Sequence, residues 1–141
     1  MKIVTSIACL TCLISLGGTA RAAEPQHQKF YRLGVEANKQ GNLDQAIRYY
    51  SQAIALKPKT APLYFVRGRA YKQHGDLDKA ISDLTRAIDL KGDYAEAYNN
   101  RGVAYVGKKL DKNARADFKK ACGLGSQEGC ANAKKLQPAK K

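Results

Sequence analysis

The side chains able to do chemistry are few, and their spacing points away from a reactive centre. Cys9 and Cys12 form a C-x-x-C pair, while Cys122 and Cys130 stand near the other end of the 141-residue chain. His27 precedes the first helical pattern and His74 falls at a turn; with no shared partner, each reads as a surface side chain. Asp76 and Asp78 lie at the same turn, where helix capping accounts for them. Gly123-Leu124-Gly125-Ser126 is a helix break followed by a cap, not a phosphate cradle, and no phosphate loop, dinucleotide fingerprint or H-E-x-x-H run occurs. Two cysteines lack the further ligands that zinc takes. The expectation is a protein that is not an enzyme and uses no metal and no cofactor.

The C-x-x-C pair belongs to a segment of another kind. Lys2 gives a positive start, residues 3–16 are largely apolar, and Ala20-Arg21-Ala22 has the small-x-small form of a cleavage site. That layout describes a secretory signal, with an apolar run of roughly 7–15 residues. It is shorter than the ~20 residues that span a bilayer. Residues 1–22 are therefore expected to leave after Ala22, with an uncleaved anchor and a lipidated cysteine as weaker alternatives. The product is an exported chain, periplasmic or secreted, of bacterial type. Cys9 and Cys12 leave with the signal. Cys122 and Cys130 remain in a compartment where disulfides persist, and two cysteines allow one pairing if a bridge forms; two free thiols are the alternative.

Charge is uneven along what remains. Residues 23–106 hold 13 basic and 9 acidic side chains, whereas residues 107–141 hold 10 basic and 3 acidic. Lys108, Lys109, Lys112, Arg115, Lys119, Lys120, Lys134, Lys135, Lys140 and Lys141 carry the excess. Such a surface suits an anionic envelope component, or it is simply a solvated end. Nucleic acid is disfavoured as a partner, because no aromatic platform interleaves these cations.

The elements that position all of this follow a period of 34. Gly34, Gly68 and Gly102 keep that interval, as do Ala46, Ala80 and Ala114, and Ala53, Ala87 and Ala121. Phe30, Tyr64 and Tyr98 keep it too, and so do Tyr50, Leu84 and Phe118. Within each unit apolar residues recur three and four apart, as one helix face requires. Gly41 and Gly75 mark inner turns. Glycine inside a helix costs about 1 kcal/mol against alanine, so three at one spacing imply close helix approach. Tyr50, Leu84 and Phe118 are the plugs that fill the remaining space.

This pattern resembles the tetratricopeptide repeat, on Phe30-x-x-Leu33-Gly34, Tyr64-x-x-Arg67-Gly68-x-x-Tyr71 and Tyr98-x-x-Arg101-Gly102-x-x-Tyr105, each followed by its alanine columns. The resemblance implies an all-α, right-handed superhelical stack of three helix-turn-helix hairpins over 27–60, 61–94 and 95–128. Residues 23–26 form a short leader to it, 126–136 a C-terminal capping helix and 137–141 a basic tail. Pro58 becomes Gly92 and Ser126 in later units, and Lys109 replaces the inner-turn glycine of the third. The third turn is therefore expected to be irregular. Three repeats are about the minimum for a stable stack, so an imperfectly covered end makes self-association plausible. Ser126 is the expected cap of the last helix, with Ala133 and Leu136 inward. The tail resembles the cysteine-linked helical hairpins of some exported repeat proteins, which implies a bridge between Cys122 and Cys130 stapling that helix down.

The resemblance also implies where a ligand would bind. The family's inward positions fall on Tyr31, Val35 and Asn38, then Phe65, Val66, Arg69 and Lys72, then Asn99, Asn100, Val103 and Val106. Aromatic residues and arginine are frequent interface anchors. Members that grip a C-terminal carboxylate place a lysine and an asparagine where this chain has Tyr31 and Val35, so that clamp is missing. The expected function is an exported protein-interaction scaffold holding a peptide or envelope protein in this groove.

Overall fold

Glycine and asparagine or aspartate alternate with long amphipathic runs, and this punctuation sets the helix boundaries. The computed structural model describes residues 24–136; the expected leader 1–22 and its expected cleavage point, Cys9, Cys12 and residues 137–141 lie outside them. The described residues form α1 (Gln26–Lys39), α2 (Leu43–Leu56), α3 (Ala61–His74), α4 (Leu77–Leu90), α5 (Ala95–Gly107), α6 (Asp111–Gly123) and α7 (Gln127–Lys135). No strand occurs among them. His27 falls inside the first turn of α1 rather than before it.

Each inner turn ends its first helix in the same way. Asn42, Asp76 and Leu110 donate their backbone N–H to the carbonyls of Ala37, Tyr71 and Tyr105, at 2.9, 3.0 and 2.9 Å. This six-to-one bond is the usual C-terminal stop, and it needs a left-handed residue just before it. Gly41 and Gly75 supply that at φ 77 and 92. The third turn is regular as well, contrary to the irregularity its sequence suggested. Lys109 simply adopts φ 61. A left-handed lysine costs roughly 1–2 kcal/mol, and the surrounding bonds hold it there. Asn42 and Asp76 then cap α2 and α4, accepting from the N–H of Gln45 and Lys79.

The helices stack in chain order, each hairpin against the next, with α3 also meeting α5 and α5 meeting α7. The repeated small residues make this possible. Ala46, Ala80, Ala114, Ala53, Ala87 and Ala121 are all fully buried. A Cβ placed on Gly34 would lie 2.5 Å from Tyr50 Cε1, and one on Gly102 would lie 2.6 Å from Phe118 Cε1. The glycine and plug columns are thus two halves of one contact. At Gly68 the plug is Leu84, whose Cγ would stand 3.0 Å away.

A second set of columns, of which the sequence motifs showed only Arg67 and Arg101, ties the hairpins together. Arg67 gives a two-pronged salt bridge to Asp83 at 2.7 and 2.8 Å and donates to Ser51 Oγ at 2.9 Å. One period later Arg101 does the same to Asp117, at 2.8 Å twice, and to Thr85 Oγ1 at 3.0 Å. Each guanidinium therefore joins three successive helices, flanked by tyrosine rings on its own helix. The carboxylates are buried, and their hydrogen bonds push both arginines further above the ordinary range. The inner turns carry a parallel set at their rims, His74 to Asp44 and Lys108 to Asp78.

Candidate peptide groove

Residues four and seven apart share one helix face. Tyr31, Val35 and Asn38 on α1 are therefore matched, one period on, by Phe65, Arg69 and Lys72 on α3, and again by Asn99, Val103 and Val106 on α5. The structure gathers most of these around two adjoining cavities. The first, about 270 Å³, is lined by Tyr31, Val35, Asn38, Val66 and Arg69, with Lys39 and Tyr50 at its edge. The second, about 430 Å³, is lined by Phe65, Arg69, Lys72, Asn99 and Asn100, together with Gln73, Glu96, Ser126 and Glu128. Arg69 stands in the wall of both. Val103 lines neither and is exposed beside Val106 further along α5.

The groove side chains differ in how free they are. Tyr31 leans on Tyr50, ring centroids 6.2 Å apart, yet keeps over a third of its surface exposed. Phe65 packs more closely on Tyr94, ring centroids 4.8 Å apart, and the Arg69 guanidinium stands 5.7 Å from the Phe65 ring centre. Lys72 Nζ donates to Asn100 Oδ1 at 2.6 Å, and Asn100 donates onward to the Glu96 carbonyl. Burial and then the neighbouring Arg69 lower the Lys72 proton affinity, with Glu128 working against them. Burial, Tyr31 and, in the opposite sense, Arg69 push the Tyr50 hydroxyl up to about 12. Asn38 Oδ1 is enclosed without a hydrogen-bond partner.

One expected groove residue is displaced in role. Asn99 is only 3% exposed, because Asn132 of α7 lies over it and donates to its Oδ1 at 2.9 Å. It is a joint between α5 and α7 rather than an open amide. The family positions did not show this because α7 begins out of step with the 34-residue period. For the same reason they missed Ser126 and Glu128 as cavity residues.

The capping helix has its expected cap, with Ser126 Oγ accepting from the Gly129 N–H at 3.0 Å. Its one buried residue is Gly129, set against Ala121; Ala133 and Leu136 are half-buried. Cys122 and Cys130 are joined in a disulfide with Cα atoms 4.4 Å apart. The basic end is smaller than its residue count suggests. Lys108 is paired with Asp78, Arg115 is half-buried with an enclosed Nε, and Lys109 is the turn residue. Lys112, Lys119, Lys120, Lys134 and Lys135 are exposed.

Among the described residues, no three His, Cys, Asp or Glu side chains stand where they could hold a metal ion, and no helix is long and apolar enough to cross a membrane. The groove offers cations, amides and apolar surface. That set can hold a segment of chain.

Comparison with protein-family models matches tetratricopeptide repeats over residues 28–60 and 95–124 and a TPR repeat over 68–109. The second TPR domain of Spaghetti (RPAP3), solved with the HSP90 peptide SRMEEVD, is 30% identical; the match covers 70% of this chain and 92% of that one at a TM-score of 0.68. The chain belongs to the tetratricopeptide repeat family. Two further structures extend the likeness of this tetratricopeptide stack. The second TPR domain of human RPAP3, in complex with the HSP70 peptide SGPTIEEVD, is 28% identical over 80% of this chain and 96% of that one, at a TM-score of 0.75. The Arabidopsis OM64 TPR domain is 26% identical over 79% and 93%, also at 0.75. No curated protein matches the chain.

Proposed function

We propose that this chain is an exported interaction scaffold, without catalytic activity, that receives an extended peptide segment in the groove of α1, α3 and α5. The observation that carries this reading is the pair of adjoining cavities that share Arg69. Their apolar walls, Tyr31, Val35, Val66 and Phe65, lie beside amides that can bond a peptide backbone. Tetratricopeptide domains of the same shape have been solved with peptides bound, which supports a peptide as the class of ligand. The peptide itself should differ, because Tyr31 and Val35 stand where a carboxylate-gripping lysine and asparagine would be. The leader sequence supports export, and a disulfide in a chain of this size is consistent with it.

The test is selection of displayed peptides on the purified oxidised protein, followed by titration of the recovered peptide. Arg69→Ala should weaken binding by roughly tenfold or more, as loss of an interface anchor does, with the melting temperature preserved. Arg48→Ala, on the outer face of α2, should leave affinity unchanged. Equal binding by all three proteins would remove the groove assignment. SRMEEVD and SGPTIEEVD should bind far more weakly than the selected peptide.

A weaker second reading uses Lys112, Lys119, Lys120, Lys134 and Lys135 to hold an anionic polymer or membrane surface. Binding of that kind falls steeply between low and physiological salt, so a salt-insensitive interaction excludes it.

A further inference from the structure

Helix α7 sits where a fourth repeat would begin, and it does more than cover the core. Ser126 and Glu128 face the same 430 Å³ cavity as Arg69 and Lys72 of α3 and Asn100 of α5. Arg69 and Lys72 are neighbours of like charge, and neither forms a salt bridge with a carboxylate among the described residues. Glu128 is close enough to act on Lys72 through space without bridging to it. The cavity thus has two cations on the α3 side that no carboxylate bridges, with Glu96 of α5 and Glu128 of α7 in its other walls.

The attachment of that helix is slender. It has nine residues and buries only Gly129, and an isolated helix so short is not stable in water. What holds it are the bond from Asn132 to Asn99, the seat of Gly129 on Ala121, and the Cys122–Cys130 disulfide.

We infer that α7 is a wall of the peptide site, with Glu128 as its charged contact, and that the Cys122–Cys130 disulfide positions this wall; the occupant is a peptide that sets an acidic side chain against Arg69 and Lys72. This rests on the groove being a peptide site. The ligand carboxylate settles on the α3 side, away from Glu128, so the wall limits which acidic segments fit. Charge at position 128 then tunes affinity, and it does so only while the disulfide keeps α7 in place.

The experiment is a double-mutant cycle read with the peptide selected on the oxidised protein. Glu128→Lys should tighten binding of an acidic selected peptide by roughly three- to tenfold, the range of a solvent-screened charge contact. In the Cys122→Ser, Cys130→Ser protein the same reversal should have no effect. Hydrogen exchange gives a readout that needs no ligand. Without the disulfide, amides of α7 should lose protection by about fiftyfold, the loop-entropy effect of so short a closure, while α2 to α4 keep theirs. Lys72, followed by NMR titration, should drop on Glu128→Gln in the oxidised protein and not in the cysteine-free one. A peptide that binds but ignores charge at position 128, or an α7 that stays protected without its disulfide, overturns the wall and leaves the groove standing. Failure to select any peptide overturns the groove reading itself.

Discussion

The junction between the second and third hairpins and the junction between the third hairpin and α7 are built from the same helix positions with opposite chemistry. At the first, Thr85 accepts from Arg101 and Asp78 pairs with Lys108, with half-buried Ile81 between them along α4. One period on, those three positions hold Lys119, Lys112 and Arg115. An incoming repeat would bring its own cations to these places and meet like charge. The chain therefore ends its stack by exchanging two acceptors and one apolar residue for cations, and it fastens α7 by a covalent bond instead. Inner junctions resist through buried, repeated polar contacts. The last junction is local, and the rest of the stack is expected to stand without it.

The largest expected effect tests the inner kind. Asp117→Ala leaves Arg101 charged and half-buried without its partner, and breaking such a pair costs about 3–5 kcal/mol. Chemical denaturation should show that loss as a global drop in midpoint. A drop below about 1 kcal/mol would mean that the arginine columns are ornamental to stability and that the two junctions differ less than their contacts suggest.

Removing both cysteines tests the other kind. Loss of a disulfide closing a short loop costs about 2–3 kcal/mol, and here it should fall on α7 alone. Unfolding of α1 to α6 by circular dichroism should keep its midpoint within a few degrees. A cooperative collapse of the whole stack would show that the last junction is not local.

Alkaline unfolding sharpens the same contrast from the opposite end of the chain. Tyr50 is 2% exposed, and its hydroxyl is pushed up to about 12 from the ordinary value of about 10. The folded state holds this proton more tightly than the unfolded chain does. Its contribution is complete below pH ~10 and disappears as pH rises from about 10 to 12, by up to ~3 kcal/mol. Tyr50→Phe should flatten that part of the stability profile. An unchanged slope would mean another group sets the alkaline limit.

The smallest effect concerns the turn nearest the cap. Lys109→Gly relieves a left-handed side chain and should stabilise the protein by about 1 kcal/mol, less the added freedom of the unfolded chain. A loss of stability would show that the lysine side chain makes a contact worth more than its strain.

The columns legible in the sequence were those in which one residue type recurs in all three units. Gly34, Gly68 and Gly102 with their plugs gave the hairpin geometry, and the structure shows both sides of each contact. The arginine–aspartate columns escaped because the first unit has Leu33 and Tyr49 in their place. Their partners also lie sixteen residues apart on opposite helices. The signal was present in Arg67 and Arg101 sharing one interval with Asp83 and Asp117. In the groove, the family positions pointed to Tyr31, Phe65, Arg69 and Lys72, which the structure brings around two adjoining cavities. They did not reveal that Asn99 is covered, because the cover comes from α7, which begins out of step with the 34-residue period. Lys108 looked like part of a basic surface because pairing across turns is invisible to composition. Asp44 with His74 and Asp78 with Lys108, each thirty apart, would have revealed it.

The triple contact made by each guanidinium has a bearing on how such a chain can change over generations. Arg67 and Arg101 look backward to a hydroxyl and forward to a carboxylate in the same translational frame. A duplicated 34-residue block spliced after position 94 would find Thr85 waiting behind it and offer an identical hydroxyl ahead. The same block added after position 128 would face Lys119 and Lys112. Lengthening is favoured between the second and third hairpins and opposed directly after the third, so longer descendants should keep these two lysine positions at the hairpin that precedes the capping helix and multiply the arginine-bearing unit before it.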